Sequence, residues 1–276
     1  MRAFVRVALV LLSLVTLSGL AAESASAGDP VGVLVLREHG VGSQAQAQPY
    51  VDKFIALAAK HNGWSDAKGQ YHTSRASAET WVQAQKPHYG ILSLGAFLGL
   101  KDKWNLEVIG QVSIARAGGQ EYHLISKSAG DLAGCKGKRL ASDHADDPKF
   151  IDKVVSGGKF KLADFTLVST QRPLQTIKKV ISGDADCALI DDAQLEEMGH
   201  IDEAKGLKSV WKSDKLPPMV VVAFPAAPQA ERKGFQASFS KICEGDGKTP
   251  CSDVGIQSLK SASASDYAAM VTAYSK

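Results

Sequence analysis

The feature of this sequence that most restricts its fold is the regular alternation of short apolar runs with amphipathic helical stretches. "VGVLVL" (31–36) is typical of a buried strand, and "YVDKFIALAAKH" (50–61) follows with apolar residues at helical spacing. "GQYHTS" (69–74) and "YGILSLG" (89–95) are predicted as the next strands, with the helical stretch "SAETWVQAQK" between them. Strands and helices alternating at this spacing form β-α-β crossovers, which predicts a mainly parallel sheet flanked by helices.

The alternation is interrupted once. Between residues 106 and 128 two strand-like runs meet around Gly118 and Gly119 with no helix between them, and the alternation then resumes over residues 138–198. The chain ends with the apolar strand "MVVVAFP" (219–225) and two helical stretches, which most simply return to the first group of elements.

We therefore predict an α/β fold with two lobes arranged as a clamshell, each a mainly parallel sheet flanked by helices. Residues 28–118 and 219–276 would form lobe 1, and residues 119–218 would form lobe 2. The two crossings, near 118–120 and 216–218, contain Gly or Pro and are predicted to act as the hinge.

The first residues predict export. Arg2 and Arg6 precede an apolar run from Val7 to Leu20, and "ASA" at 25–27 supplies the small residues of a cleavage site. The run is shorter than the roughly 20 residues that span a bilayer. We expect residues 1–27 to be a signal peptide and the remaining chain to be a periplasmic protein without membrane insertion.

The charge balance excludes some partners. The formal net charge is only +3, and the sequence contains no run of Lys and Arg. A nearly neutral chain has no electrostatic attraction to nucleic acid or to an anionic membrane surface. We expect a monomer with a small-molecule ligand.

No catalytic motif is present. Ser93 stands in Gly-x-x-Ser-x-Gly, whereas a nucleophile elbow requires G-x-S-x-G. The sequence also lacks the helical motif of zinc proteases, so we predict neither an enzyme nor a cofactor.

Four cysteines are an even number in a chain bound for an oxidising compartment, which favours disulfides. Cys243 and Cys251 flank the turn "EGDGKTP" and are predicted to pair. Cys135 and Cys187 then pair by elimination. Neither pair has the spacing of a metal or redox motif.

Three segments resemble a known family. "YGILSLGAFL", "GQEYHLISKSAGDLAGCKGKRLAS" and "LQTIKKVISGDADCALIDD" are together similar to the solute-binding proteins of phosphate and phosphonate ABC importers, which have the type II periplasmic-binding fold. The resemblance implies that one small solute binds between the lobes and is delivered to the permease of an ABC importer. The alternative that the sequence leaves open is a ligand-sensing protein that reports its solute to a membrane receptor.

Ligands of open α/β sheets bind outside the carboxyl ends of the strands, where helix N-termini favour anions. The polar residues at these positions are the candidates for the binding site. From lobe 1 they are Arg37, Glu38, His39, Tyr50, Ser74, Arg75, Ser77 and Ser93, and from lobe 2 they are Ser142, Asp143, His144, Ser169, Thr170, Asp191 and Asp192.

Several candidates have a purely structural alternative. Ser74, Ser77, Ser93 and Thr170 stand where a helix needs an N-cap. Arg75 could bind an oxyanion with two parallel hydrogen bonds, or form a salt bridge.

Two classes of ligand remain open for "SDHADDPKF" (142–150). An oxyanion would use hydroxyls, Arg75 and helix N-termini, with the acidic side chains turned away. A divalent metal or a cationic solute would use His39, Asp143, His144 and Asp191. The family resemblance favours the oxyanion, phosphate or phosphonate.

Overall fold

The computed structural model describes residues 30–39, 43–115 and 119–276. The predicted signal peptide and Gly118 of the first crossing lie outside the described residues. The described chain forms two β-sheets with helices packed on their faces. In this part of the chain no helix has the length and apolar character needed to cross a membrane.

The first sheet has six strands in the order β11-β4-β10-β3-β1-β2. Their bounds are β1 Val31–Leu36, β2 Ala67–His72, β3 Tyr89–Leu92, β4 Glu107–Ile114, β10 Met219–Ala223 and β11 Ile256–Ser261. Strands β1, β2 and β3 are parallel, as their helical connections require, and β10 and β11 run in the opposite direction.

The second sheet has five strands in the order β7-β6-β8-β5-β9. Their bounds are β5 Tyr122–Ser126, β6 Arg139–Ser142, β7 Thr166–Ser169, β8 Cys187–Asp191 and β9 Lys208–Lys212. Strands β6, β7 and β8 are parallel, whereas β5, which enters directly from the first sheet, is antiparallel to both of its neighbours.

Ten α-helices lie in the described residues. They are α1 Gln44–Asn62, α2 Arg75–Gln85, α3 Leu94–Leu100, α4 Leu132–Cys135, α5 Pro148–Phe150, α6 Pro173–Ile181, α7 Asp192–Met198, α8 Gln229–Ile242, α9 Lys248–Asp253 and α10 Ala268–Ser275. The helix predicted over "DPKFIDKVVSG" is only partly α-helical, because α5 continues as a π-helical turn, Ile151–Val155.

The two lobes share a hydrophobic core. One cluster of buried side chains runs from Leu36 and Phe97 of lobe 1 to Tyr122, Phe150 and Leu189 of lobe 2. The C-terminal helix α10 also reaches across, and the Lys149 ammonium lies 4.4 Å from the centre of the Tyr274 ring. The clamshell is therefore closed in this structure.

Both predicted disulfides are confirmed. Cys135 and Cys187 are joined within lobe 2, and Cys243 and Cys251 are joined across the turn between α8 and α9. Each bridge therefore holds one lobe together, and neither one connects the two lobes.

Candidate ligand-binding cleft

The carboxyl ends of the parallel strands of both sheets meet between the lobes. Two connected spaces lie there. The inner cavity, about 50 Å³, is lined by residues that include Arg37, His39, Ser93, His144 and Asp191. The outer cleft, about 810 Å³, is wider and shares His39 with it. The strand alternation brings these residues together because each lies at, or within three residues after, the carboxyl end of a parallel strand.

Two buried polar atoms of the inner cavity have no hydrogen-bond partner among the described residues. They are Oγ of Ser93, at the start of α3 in lobe 1, and Nε2 of His144, after β6 in lobe 2. Ser93 stands at the N-cap position of α3, yet its side chain makes no capping hydrogen bond. His144 is only 4% exposed. Because buried polar atoms are rarely left unpaired, these two require a partner from outside the chain.

Arg75 joins the lobes rather than facing an empty space. Its Nη2 donates a hydrogen bond of 2.9 Å to Glu38 in the same lobe and a second hydrogen bond to Asp147 in lobe 2. Its Nε lies 2.6 Å from Oε1 of Glu38, a close ionic contact without hydrogen-bond geometry. Burial raises the pKa of Glu38, and the charge of Arg75 opposes that shift. We call this group the charged contact.

The other acidic side chains of the cleft also have partners inside the protein. Asp143 accepts hydrogen bonds from the Thr176 hydroxyl (3.2 Å) and from the Gln194 amide (3.0 Å). Asp191 caps α7 by accepting a 2.8 Å hydrogen bond from the backbone N–H of Gln194. Burial raises the pKa of Asp191 to about 7 and also raises that of Asp143. These carboxyls therefore accept hydrogen bonds within the protein already, and their raised pKa values favour the protonated, neutral form.

His39 and His144 contact each other across the cleft. Their ring centres are 4.2 Å apart, and Nε2 of His39 lies 3.5 Å from a carboxylate oxygen of Asp146. Burial and the nearby His144 together lower the pKa of His39 to about 4, against the opposing charge of Asp146. Burial also lowers the pKa of His144 to about 4. Both rings are neutral at pH 7, and we call this pair the imidazole contact.

The mouth of the outer cleft is formed by three helix N-termini. Ser43 and Gln44 begin α1, Thr73 and Ser74 precede α2, and Arg172 precedes α6 from the opposite lobe. The N-terminus of a helix carries a partial positive charge. The three together make the potential at the mouth more favourable for an anion.

The structure sorts the predicted site residues into three groups. Those that line the inner cavity are Arg37, Glu38, His39, Ser93, His144 and Asp191, and those that line the outer cleft are His39, Ser74, Asp143, Ser169 and Thr170. Asp192 lines neither space, and the same is true of Tyr50, Arg75, Ser77 and Ser142.

The last four residues have other contacts. Tyr50 is half-exposed on α1, away from the cleft. The Ser77 hydroxyl bonds with Ser74 and His72, and the buried Ser142 hydroxyl accepts the backbone N–H of His144. Ser74 caps α2, so the capping interpretation of this residue is confirmed.

Several lining residues were not among the individually predicted site residues. Gln120, Tyr122 and Pro217 come from the two crossings between the lobes, and Asp147 and Phe150 come from the loop after β6 and from α5. The interruption of the strand and helix pattern marked the crossings. It could not show that their side chains face the ligand space.

The alternative of a metal site receives no support. Among the residues that the structure describes, no three His, Cys, Asp or Glu side chains are arranged to hold a metal ion. Asp143 and Asp191 are bound to neighbouring groups instead, and the two imidazoles contact each other.

Comparisons with known proteins agree with this geometry. Residues 147–267 match the model of a family described as "ABC transporter, phosphonate, periplasmic substrate-binding protein". A search of curated protein sequences gave no match.

Solved structures resemble the fold over most of the chain. A binding protein of an ABC phosphonate transporter from Pseudomonas aeruginosa is 16% identical, with 84% of this chain and 82% of that chain covered and a TM-score of 0.62. A Prochlorococcus marinus protein in complex with methylphosphonate is 13% identical, with coverage of 87% and 95% and a TM-score of 0.64. A Xanthomonas citri protein bound to ATP is 10% identical, with coverage of 90% and 96% and a TM-score of 0.66.

At these identities the solved structures establish the fold, a two-lobed α/β clamshell. The family match is a similarity over residues 147–267, which begin in the loop after β6 and end in lobe 1. Together they confirm the resemblance drawn from the sequence, to the periplasmic substrate-binding proteins of phosphonate ABC transporters.

Proposed function

We propose that this protein captures a small oxyanion, such as phosphate or a phosphonate, in the inner cavity and delivers it to the permease of an ABC importer. It would act in the periplasm as a monomer, after removal of residues 1–27, and would bind its solute without transforming it. The observation that carries the proposal is the pair of unpartnered polar atoms, Oγ of Ser93 and Nε2 of His144, one from each lobe.

The donors suit an oxyanion. A serine hydroxyl and a neutral imidazole can each donate one hydrogen bond to an anionic oxygen, and Arg37 lines the same cavity. The cavity volume of about 50 Å³ exceeds the roughly 10–15 Å³ that one water needs, so several oxygen-sized groups fit. The methylphosphonate complex of the similar Prochlorococcus protein supports this class of ligand.

The acidic residues do not exclude an anion. Repulsion is reduced because Glu38 and Asp147 are paired with Arg75 and because Asp143 is held by neutral donors. Asp191, with a pKa of about 7, is protonated in part of the molecules at neutral pH, and its carboxyl can then donate a hydrogen bond.

Isothermal titration calorimetry with phosphate and methylphosphonate tests the proposal. Ser93→Ala should weaken binding by about tenfold or more, since a hydrogen bond to a charged group contributes roughly 1.5–3 kcal/mol. Ser77→Ala, in the same lobe but outside both spaces, is the matched control and should bind as the wild type does. Absence of heat with both anions, or equal binding by the two variants, would refute the proposed site.

Small-angle scattering gives a second test. If the crossings act as a hinge, the ligand-free protein should sample open forms, and saturating anion should reduce its radius of gyration.

Arg75→Ala belongs in the calorimetry as well, because a direct ligand contact by Arg75 stays a prediction.

A further inference from the structure

A third space adjoins the inner cavity. The side pocket, about 200 Å³, lies in lobe 1 between α1 and the segment that connects α9 to β11. Its walls are mostly apolar and include Val35, Val51, Phe54, Ile91 and Val254. Among its polar lining residues, Asp253 stands at the rim, with a carboxylate oxygen 3.9 Å from the ammonium of Lys53.

The side pocket and the inner cavity share part of their lining. Arg37, Val112, Ile114 and Met219 contribute to both spaces. Arg37 continues the alternation of β1 beyond Val35 and so leaves the strand on the same face, toward the pocket. The charge of Arg37 acts in both spaces. Burial raises the pKa of Tyr71 in the pocket wall and that of Asp191 in the cavity, and Arg37 opposes both shifts.

The pocket also explains Tyr50, which was predicted to contact the ligand but lies away from the inner cavity. Tyr50 is 46% exposed, one of the large hydrophobic side chains with the most exposed surface in the described chain, and it forms part of the pocket wall. Exposed apolar surface in a concave site is typical of a ligand-binding groove. An apolar cavity of roughly 150 Å³ in another protein holds a benzene ring, so the side pocket has room for a ring or a short alkyl chain.

We infer that the preferred ligand is an organic oxyanion with an apolar substituent, an aryl or alkyl phosphonate, whose head lies in the inner cavity beside Arg37 and whose substituent fills the side pocket. This inference rests on the proposed function and names its class of substrate. Inorganic phosphate and methylphosphonate would fill only the first of the two spaces.

Calorimetry with methylphosphonate and phenylphosphonate tests the inference. The wild type should bind phenylphosphonate about tenfold more tightly or better, because the ring removes apolar surface from water. Ala47→Phe places a ring in the pocket from α1 and should remove this preference while leaving methylphosphonate affinity unchanged. Ala45→Phe, exposed on the same helix and outside the pocket, is the matched control and should keep the preference.

A second variant, Val254→Phe, fills the pocket from the opposite wall and should have the same effect as Ala47→Phe, so a folding defect in one variant does not decide the result. Equal affinity of the wild type for the two phosphonates, or a preference that survives both filled variants, would overturn the inference and leave the proposed function standing.

Phenol carries the ring without the oxyanion head, so its binding tests the side pocket separately from the oxyanion function. If neither phosphonate binds, the oxyanion function fails and the inference falls with it, even where phenol binds the wild type and not Ala47→Phe. If both phosphonates bind, a phenol affinity that falls in Ala47→Phe and not in Ala45→Phe supports the side pocket as the site of the ring.

Discussion

Two neighbouring contacts join the same two loops across the cleft, and they depend on different forces. The loop after β1 supplies Glu38 and His39 in succession, and the loop after β6 supplies His144 and Asp147. In the charged contact, Arg75 links Glu38 to Asp147. In the imidazole contact, the rings of His39 and His144 lie 4.2 Å apart.

In the charged contact the Arg75 guanidinium stays protonated, whereas Glu38, whose pKa is raised by burial, loses its charge as the pH falls. Burial disfavours the charge of Arg75, but the carboxylates of Glu38 and Asp147 outweigh this effect and raise the pKa of Arg75 above its usual value. The imidazole contact requires the opposite condition, because its rings are packed together only while they are neutral. Two adjacent residues of one loop thus take part in two different contacts, one between opposite charges and one between neutral rings.

The largest effect is expected from Arg75→Ala. Removing the guanidinium leaves the carboxylates of Glu38 and Asp147, which are 11% and 12% exposed, without their partner. Breaking a buried ion pair from one side costs roughly 3–5 kcal/mol. Because the Arg75 side chain is itself 28% exposed, we expect a loss of about 3 kcal/mol. Urea unfolding at pH 7 measures it.

Arg139→Ala is the control for this variant. Arg139 makes a similar two-pronged pair with Asp186, but on the surface of lobe 2. Exposed ion pairs contribute little to stability, so this variant should lose much less than Arg75→Ala. Equal losses in the two variants would show that the charged contact contributes no more than a surface salt bridge.

The sequence predicted the fold well where one periodicity dominates. Strands β3 and β8 were recognisable because both of their faces are buried. Strands β9 and β11 were missed because "KSVWK" and "IQSLKS" are polar and partly exposed. Both are edge strands, and edge strands are commonly protected by charged side chains.

The position of the site could be predicted from the sequence, but the contacts between its residues could not. Ser93, His144 and Asp191 follow parallel strands, so their place at the cleft could be derived from the order of elements alone. That Arg75 would bind Asp147, 72 residues away, depends on how the lobes close, which no local pattern contains. The contacts of Asp143 were not predictable either, because its partners Thr176 and Gln194 belong to two separate helices of the same lobe, α6 and α7.

The second prediction uses pH to separate the two contacts. The pKa of His144 is about 4 in the folded chain and about 6.5 in the unfolded chain. Between these values the unfolded chain binds more protons, so this group contributes stability above pH 6.5 that is lost as the pH falls toward 4. For His144 alone the loss between pH 7 and pH 5 is about 2 kcal/mol.

Replacing His144 by Gln should remove that dependence. The free energy of unfolding, measured in urea at pH 7 and at pH 5, should fall by about 2 kcal/mol less in His144→Gln than in the wild type. Asp191, whose pKa is raised by burial, titrates with the opposite sign. It is present in both proteins, so it cancels in the difference. The same acid-induced loss in both proteins would mean that His144 is not buried as a neutral ring.

The smallest effect should come from a change that disturbs the charged contact without removing a charge. Gly99, in α3, packs against Arg75, and a Cβ at this position would lie 2.8 Å from Nη1 of the guanidinium. Replacing a glycine inside a helix by alanine normally stabilises by roughly 0.5–1 kcal/mol. At Gly99 this gain should be lost, since Arg75 is held from two sides and must shift to make room.

Gly234→Ala supplies the reference, because Gly234 lies within α8 and nothing is near the Cβ it would acquire. In urea unfolding this variant should be stabilised, and Gly99→Ala should be less stable than Gly234→Ala by about 1 kcal/mol. Adding Gly99→Ala to Arg75→Ala should restore the ordinary gain, since the obstructing guanidinium is then absent. If Gly99→Ala stabilises the wild type as much as Gly234→Ala does, Arg75 moves aside freely. The charged contact would then be an adaptable ion pair, and its contrast with the imidazole contact would lie in the charge of its members alone.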